Sequence, residues 1–117
     1  MKRIGDEGEE IAAKYLLKKG LKIIDKKYRG NGGEIDIIAR QDDLLIFVEV
    51  KTWRRYGYEE LEWAIDKRKQ RRLYRCANYF IAMNPRYAGM HLRFDVIYIR
   101  YADAKIHHIP NAFGVDG

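Results

Sequence analysis

Two rhythms of apolar and polar residues run along this chain, and the changes between them mark its elements. Over residues 6–19, Ile11, Ala12, Tyr15 and Leu16 continue a helical spacing that begins at Ile4 and Gly8, giving one apolar stripe. Gly20 supplies a stop. Residues 21–25 (LKIID) alternate as a short strand, and the polar, glycine-rich stretch from Lys26 to Gly33 predicts a loop. Residues 34–40 (EIDIIAR) and 44–52 (LLIFVEVKT) predict two strands, with Asp42 and Asp43 suited to a tight turn between them. The helical rhythm returns over residues 59–83, with a bend expected near Lys67. Leu61, Ile65, Cys76, Phe80 and Met83 share its stripe, and Lys69 and Arg72 fall inside it. Residues 84–91 read as a loop and residues 92–101 and 105–109 as a closing pair of strands. The tail from Asn111 onward reads as irregular.

The turn at residues 42–43 fixes a register. It pairs Gln41 with Leu44, and stepping back from it sets Asp36 opposite Glu49, on the same face and about 5 Å apart at Cβ. Lys51, two residues after Glu49, shares that face. Two carboxylates and an ammonium together suit a hard divalent ion, which takes oxygen ligands and keeps several waters. Such an ion polarises a phosphate and acidifies a bound water, while Lys51 offsets charge on the phosphate. Glu9 falls about 20° from Leu16 around the first helix, at the border of its stripe, and is a candidate third acid. The competing reading is a cross-strand ion-pair ladder, which Glu49-Val50-Lys51 alone would suggest first.

The chain has 117 residues, the size of one domain over 1–117, and 47% of them are hydrophobic, too many for a disordered chain. No apolar run approaches the roughly 18 residues that span a bilayer, and residues 1–20 carry both signs of charge, unlike a signal peptide. A cytoplasmic location without membrane contact is expected. Cys76 is the single cysteine, so neither an intrachain disulfide nor a cysteine-rich zinc site is available, and it reads as core.

The net charge of +6 becomes informative through its placement. Lys67, Arg68, Lys69, Arg71, Arg72 and Arg75 put six cations into nine residues, with no acid after Asp66 to balance them. A phosphate backbone would relieve that repulsion; a solvated face, with Lys69 and Arg72 snorkelling over the core, is the plainer alternative. Residues 53–58 (WRRYGY) interleave cations and aromatics, which suits stacking on bases, with Arg54 and Arg55 on phosphates, or a loop whose Trp53 and Tyr56 cap the core. Glu34 shares the predicted face of Asp36, either tuning the site or lying at the surface. His107 and His108 are adjacent on a strand, so they point to opposite faces and read as surface or edge residues; Arg93 and Asp95 share a face and read as an ion pair.

Six blocks in order resemble the small bacterial YraN-like family, also called UPF0102, assigned to the restriction-endonuclease-like superfamily. They are Gly5-Asp6-Glu7-Gly8-Glu9 with Ala12, Gly33-Glu34-Ile35-Asp36-Ile37-Ile38, Phe47-Val48-Glu49-Val50-Lys51-Thr52, Lys69-Gln70, Arg93-Phe94-Asp95-Val96, and Asn111-Ala112-Phe113. One departure is visible: Trp53 stands where the family usually has arginine, and Arg54-Arg55 follow. The resemblance implies an α/β fold, a restriction-endonuclease-like core with a mixed β-sheet flanked by helices. It implies that Asp36, Glu49 and Lys51 occupy the acid…(Asp/Glu)-x-Lys nuclease positions, with Mg²⁺ or Mn²⁺ as cofactor. Glu9 resembles the helix-borne acid of archaeal Holliday-junction resolvases, relatives in that superfamily, and Gln70 the glutamine after the catalytic lysine. The implied activity is metal-dependent hydrolysis of DNA, including branched intermediates; the alternative is a nucleic-acid-binding module without catalysis. Cutting a four-way junction would require a homodimer.

Overall fold

The computed structural model describes residues 4–53 and 65–114. Helix α1, Ile4–Lys18, carries Asp6 and Glu7 in its first turn, where they complement the helix dipole. It ends as Gly20 predicts: with φ +91° at Gly20, its N–H donates to the Leu17 carbonyl and the Leu21 N–H reaches back to Leu16.

Five strands follow: β1 Lys22–Gly30, β2 Gly33–Gln41, β3 Leu44–Trp53, β4 His91–Arg100 and β5 Ile106–Phe113. They lie in the sheet in chain order. β1–β2, β2–β3 and β4–β5 pair antiparallel, and β3–β4 pair in parallel, so the sheet is mixed. Helix α2, Lys67–Met83, lies between β3 and β4 in the chain. α1 covers one face of the sheet through Ala12, Ala13 and Leu16, against Ile37, Ala39, Ile46, Val48, Ile97 and Ile99. α2 covers the other through Leu73, Cys76, Ala77 and Phe80, against Ile35, Ile38, Leu45, Phe47, Phe94, Val96 and Tyr98. The result is an α/β fold of the kind expected for a restriction-endonuclease-like core.

Four expectations change. β1 runs on to Gly30 through the predicted loop, because Asn31 (φ 52°) and Gly32 (φ 78°) turn the chain in two residues and pair Gly30 with Gly33. α2 begins at Lys67 because Asp66 is extended and its Oδ1 accepts the Lys69 N–H at 2.9 Å, capping the helix. Residues 59–64, with Leu61, lie outside the described residues. Met83 is 61% exposed and leaves the stripe, which is completed by Leu73 and Ala77. The tail is strand as far as Phe113, whose ring stacks on Phe94 at 4.9 Å. Cys76 is buried, as expected. Among the described residues, no helix is long and apolar enough to cross a membrane.

Candidate active site

The β2–β3 ladder follows the expected register from Gln41↔Leu44 to Ile37↔Val48. One step further the strands part, at Asp36 and Glu49. Asp36 instead accepts the Val50 backbone N–H on Oδ2 at 2.7 Å. The alternation of side chains slips at the same place. Ile37 and Ala39 belong to the α1 side, yet Ile35, two residues before Ile37, packs on the α2 side with Ile38. On the neighbouring strand, Lys27, between the paired Lys26 and Tyr28, takes φ +54°. The β1–β2 hairpin therefore bends at Lys27 and Asp36, and Asp36 stands at the bend.

β3 alternates regularly. Val48 and Val50 pack on the α1 side, which sends Glu49 and Lys51 toward α2. Glu49 is 7% exposed, and its Oε2 lies 3.0 Å from the Lys69 ammonium. That contact is electrostatic only, since Oε2 has no hydrogen-bond partner. Lys51 is half-buried.

Asp36 and Glu49 crowd each other. Burial, a hydrogen bond with Glu49 and the Glu49 charge push the Asp36 carboxyl up to about 8, against the opposing pull of the Val50 N–H; Glu9 adds a smaller push. Burial also raises Glu9, opposed by Lys27 and reinforced by the charges of Asp6, Glu34 and Glu49. Glu9 Oε1 is buried without a hydrogen-bond partner. A Glu9 oxygen without a partner, a Glu49 oxygen met only by an ammonium, and a third carboxyl forced to keep its proton form a donor set that suits a divalent cation. The fit extends to two protein carboxylates: among the described residues no three acidic, histidine or cysteine side chains form a metal-holding group. An ion that retains several waters, as Mg²⁺ does, requires no more.

The other candidates fall around this centre. Lys67, Arg68, Arg71, Arg72 and Arg75 are exposed along α2, and Lys69 is half-buried. A groove of about 450 Å³ runs between α2 and the β1–β2 turn, lined by Arg29, Gly32, Gly33, Glu34, Lys69 and Arg72. Glu34 is exposed on the groove wall, with Arg29 3.7 Å away. Gln70 turns its amide to the Ile65 carbonyl at 2.6 Å, tying the chain that enters α2. Arg54 and Arg55, and with them Tyr56 and the loop to residue 58, lie outside the described residues.

Two features escape the sequence. Lys69 reads there as a cation of the basic helix, whereas it faces Glu49; its place inside the apolar stripe was the available signal. His108 is a correction. It lies on the edge strand β5 but not at the surface, because its side chain is 9% exposed and links Asp95 Oδ2, at 2.8 Å from Nε2, to the Tyr15 hydroxyl, at 3.0 Å from Nδ1. Arg93 does pair with Asp95, through two contacts of 2.8 and 2.9 Å, and Asn111 N–H donates to Asp95 at 2.9 Å. Burial of Asp95 favours its protonated form, yet the bonds from His108, Arg93 and Asn111 outweigh it and hold the carboxyl below its usual value. This network fastens α1 and β5 to β4 on the sheet face away from Glu49.

Comparison with known proteins places these residues in a family context. The model of the family described as "Uncharacterised protein family UPF0102" matches residues 8–99. A UPF0102 protein of Treponema pallidum (strain Nichols) is 44% identical over 117 residues, covering 96% of this chain and 93% of its own. One from Syntrophotalea carbinolica is 43% identical over 116 residues, covering 97% and 94%. One from Clostridioides difficile (strain 630) is 44% identical over 114 residues, covering 96% and 97%.

Proposed function

The chain belongs to the uncharacterised family UPF0102, and from the site it carries we propose that it is a divalent-metal-dependent endonuclease that hydrolyses DNA phosphodiester bonds. The observation behind this reading is the Asp36–Glu49 pair, two carboxyls crowded together beside a helix of exposed cations. Asp36 and Glu49 would hold Mg²⁺ or Mn²⁺. When bound, such an ion polarises a phosphate oxygen and lowers the pKa of a water at its side.

The protein's own residues do the rest. Lys51, on the same face as Glu49, offsets the negative charge that grows on the phosphate as water adds. Glu9 offers its unpartnered Oε1 as an acceptor for a water at the edge of the site. Arg68, Arg71, Arg72 and Arg75 track the strand and hold its backbone in register, an interaction that weakens steeply with salt. Water attacks phosphorus, one P–O ester bond breaks, and the departing sugar oxygen takes up a proton. A branched DNA is the substrate that the resolvase-like Glu9 favours. Symmetric cutting of a four-way junction would bring two chains together.

The test is a cleavage assay on single-stranded, duplex, flapped and four-way-junction DNA with Mg²⁺ or Mn²⁺, using Glu49→Gln prepared in parallel. The expected result is metal-dependent cutting by the native protein and background cutting by the variant. Equal cutting by both would mean contamination and would sink the proposal. The second reading, a nucleic-acid-binding module without catalysis, rests on the exposed cations of α2 alone. It predicts salt-sensitive binding and no cutting with either metal.

A further inference from the structure

Lys69 lies between two environments that the preceding mechanism treats separately. Its ammonium is 3.0 Å from Glu49 Oε2, and its side chain, 41% exposed, also lines the groove between α2 and the β1–β2 turn. The contact with Glu49 is weakly directed, because Oε2 accepts no hydrogen bond. The groove meanwhile supplies what a phosphodiester takes: two further cations, Arg29 and Arg72, and a wall of glycine backbone at Gly32 and Gly33. Gly33 presses so closely on α2 that a Cβ there would lie 2.9 Å from the Arg72 carbonyl, so the β1–β2 turn and α2 meet closely where they line the groove.

We propose that Lys69 is the counter-cation of Glu49 in the free protein, exchanged for a divalent ion, and that the released ammonium takes a nucleic-acid phosphate in the adjoining groove. The proposal rests on the metal site described above and adds its regulation. An ammonium and a divalent ion compete for the same carboxylate oxygen. A phosphate that captures the ammonium vacates that oxygen, and an ion that occupies it frees the ammonium. Metal and DNA therefore help each other to bind, by the same factor in either direction, since coupling between two sites is reciprocal. Arg29 and Arg72 take part in phosphate binding but not in the exchange, because Glu49 pairs with Lys69 alone among the described cations.

The experiment compares the native protein, Lys69→Met and Arg72→Met. Mn²⁺ binding is read from the loss of its free paramagnetic resonance signal. Duplex binding is read by anisotropy, on phosphorothioate DNA that resists cutting, with saturating Mn²⁺ or with chelator. Lys69→Met should bind Mn²⁺ at least about fivefold tighter than the native protein. Native affinity for the duplex should rise at least about fivefold with Mn²⁺, and Lys69→Met should lose that gain. Arg72→Met should bind the duplex more weakly in both states while keeping the gain and the native Mn²⁺ affinity. Equal Mn²⁺ affinity in the native protein and Lys69→Met, or an undiminished gain in Lys69→Met, would overturn the exchange while leaving the metal site intact. Failure of all three proteins to take up Mn²⁺ would remove the metal site and the exchange together.

Discussion

Asp36 holds its proton to about pH 8 because it is half-buried and lies against Glu49. In the unfolded chain it lets go near pH 4. Between those values the folded state carries a proton that the unfolded state lacks, so stability falls as pH rises, and outside that window Asp36 adds no slope. Each pH unit inside the window costs up to about 1.4 kcal/mol. In chelator, the denaturant midpoint of the native protein should therefore fall from pH 5 to pH 8. Asp36→Asn keeps an oxygen to accept the Val50 N–H, and should flatten that fall and add stability at pH 8. A flat native profile would show that the two carboxyls do not repel. The approach of Asp36 to Glu49, and the face Lys51 shares with Glu49, were legible in the sequence because a two-residue turn and a period of two carry the pairing as far as Ile37↔Val48; the slip at Asp36, which turns its carboxyl to the Val50 N–H, was not. Lys69 beside Glu49 and His108 beneath Asp95 were not, since each meets its partner through packing of distant segments: Tyr15 and His108 are 93 residues apart.

Elements were legible in their existence and less so in their ends. In the sequence β1 reads short because its last residues are polar, although Asn31-Gly32 is a strong hairpin signal and the residues after the bend serve α2 as well as the sheet. β5 reads short because Asn111 looks like a breaker, whereas its N–H and the Phe113 ring find partners on β4. Both misreadings come from contacts made between elements. The same contacts give the prediction at this scale. A methyl group at position 33 would meet the Arg72 carbonyl at 2.9 Å and Cys76 Cβ at 3.2 Å. Gly33→Ala should lift the hairpin from α2 and cost about 1–3 kcal/mol in denaturant unfolding. It should also weaken duplex binding through the groove those elements share. A variant as stable as the native protein would show that the hairpin yields there freely.

At the scale of the molecule, the helical and alternating rhythms identify the layers, but only the parallel pairing of β3 with β4 joins them into one sheet. The strand–helix–strand order is compatible with that pairing, and the family resemblance supplies the mixed sheet that periodicity alone leaves open. The pairing also sets an order in time. β1, β2 and β3 are joined by two-residue turns, so their contacts are local and cheap to close. β4 reaches β3 only once the chain from Trp53 to His91 has folded back, and loop-closure entropy must be met before any of that pairing is gained. The meander should therefore assemble first, with β4 and β5 docking late. Ile38→Val in β2 should mainly slow refolding in stopped-flow experiments, whereas Ile97→Val in β4 should mainly speed unfolding. A chain emerging from its N-terminus would thus have the strands bearing Asp36 and Glu49 paired before the strand that locks them in place has been made.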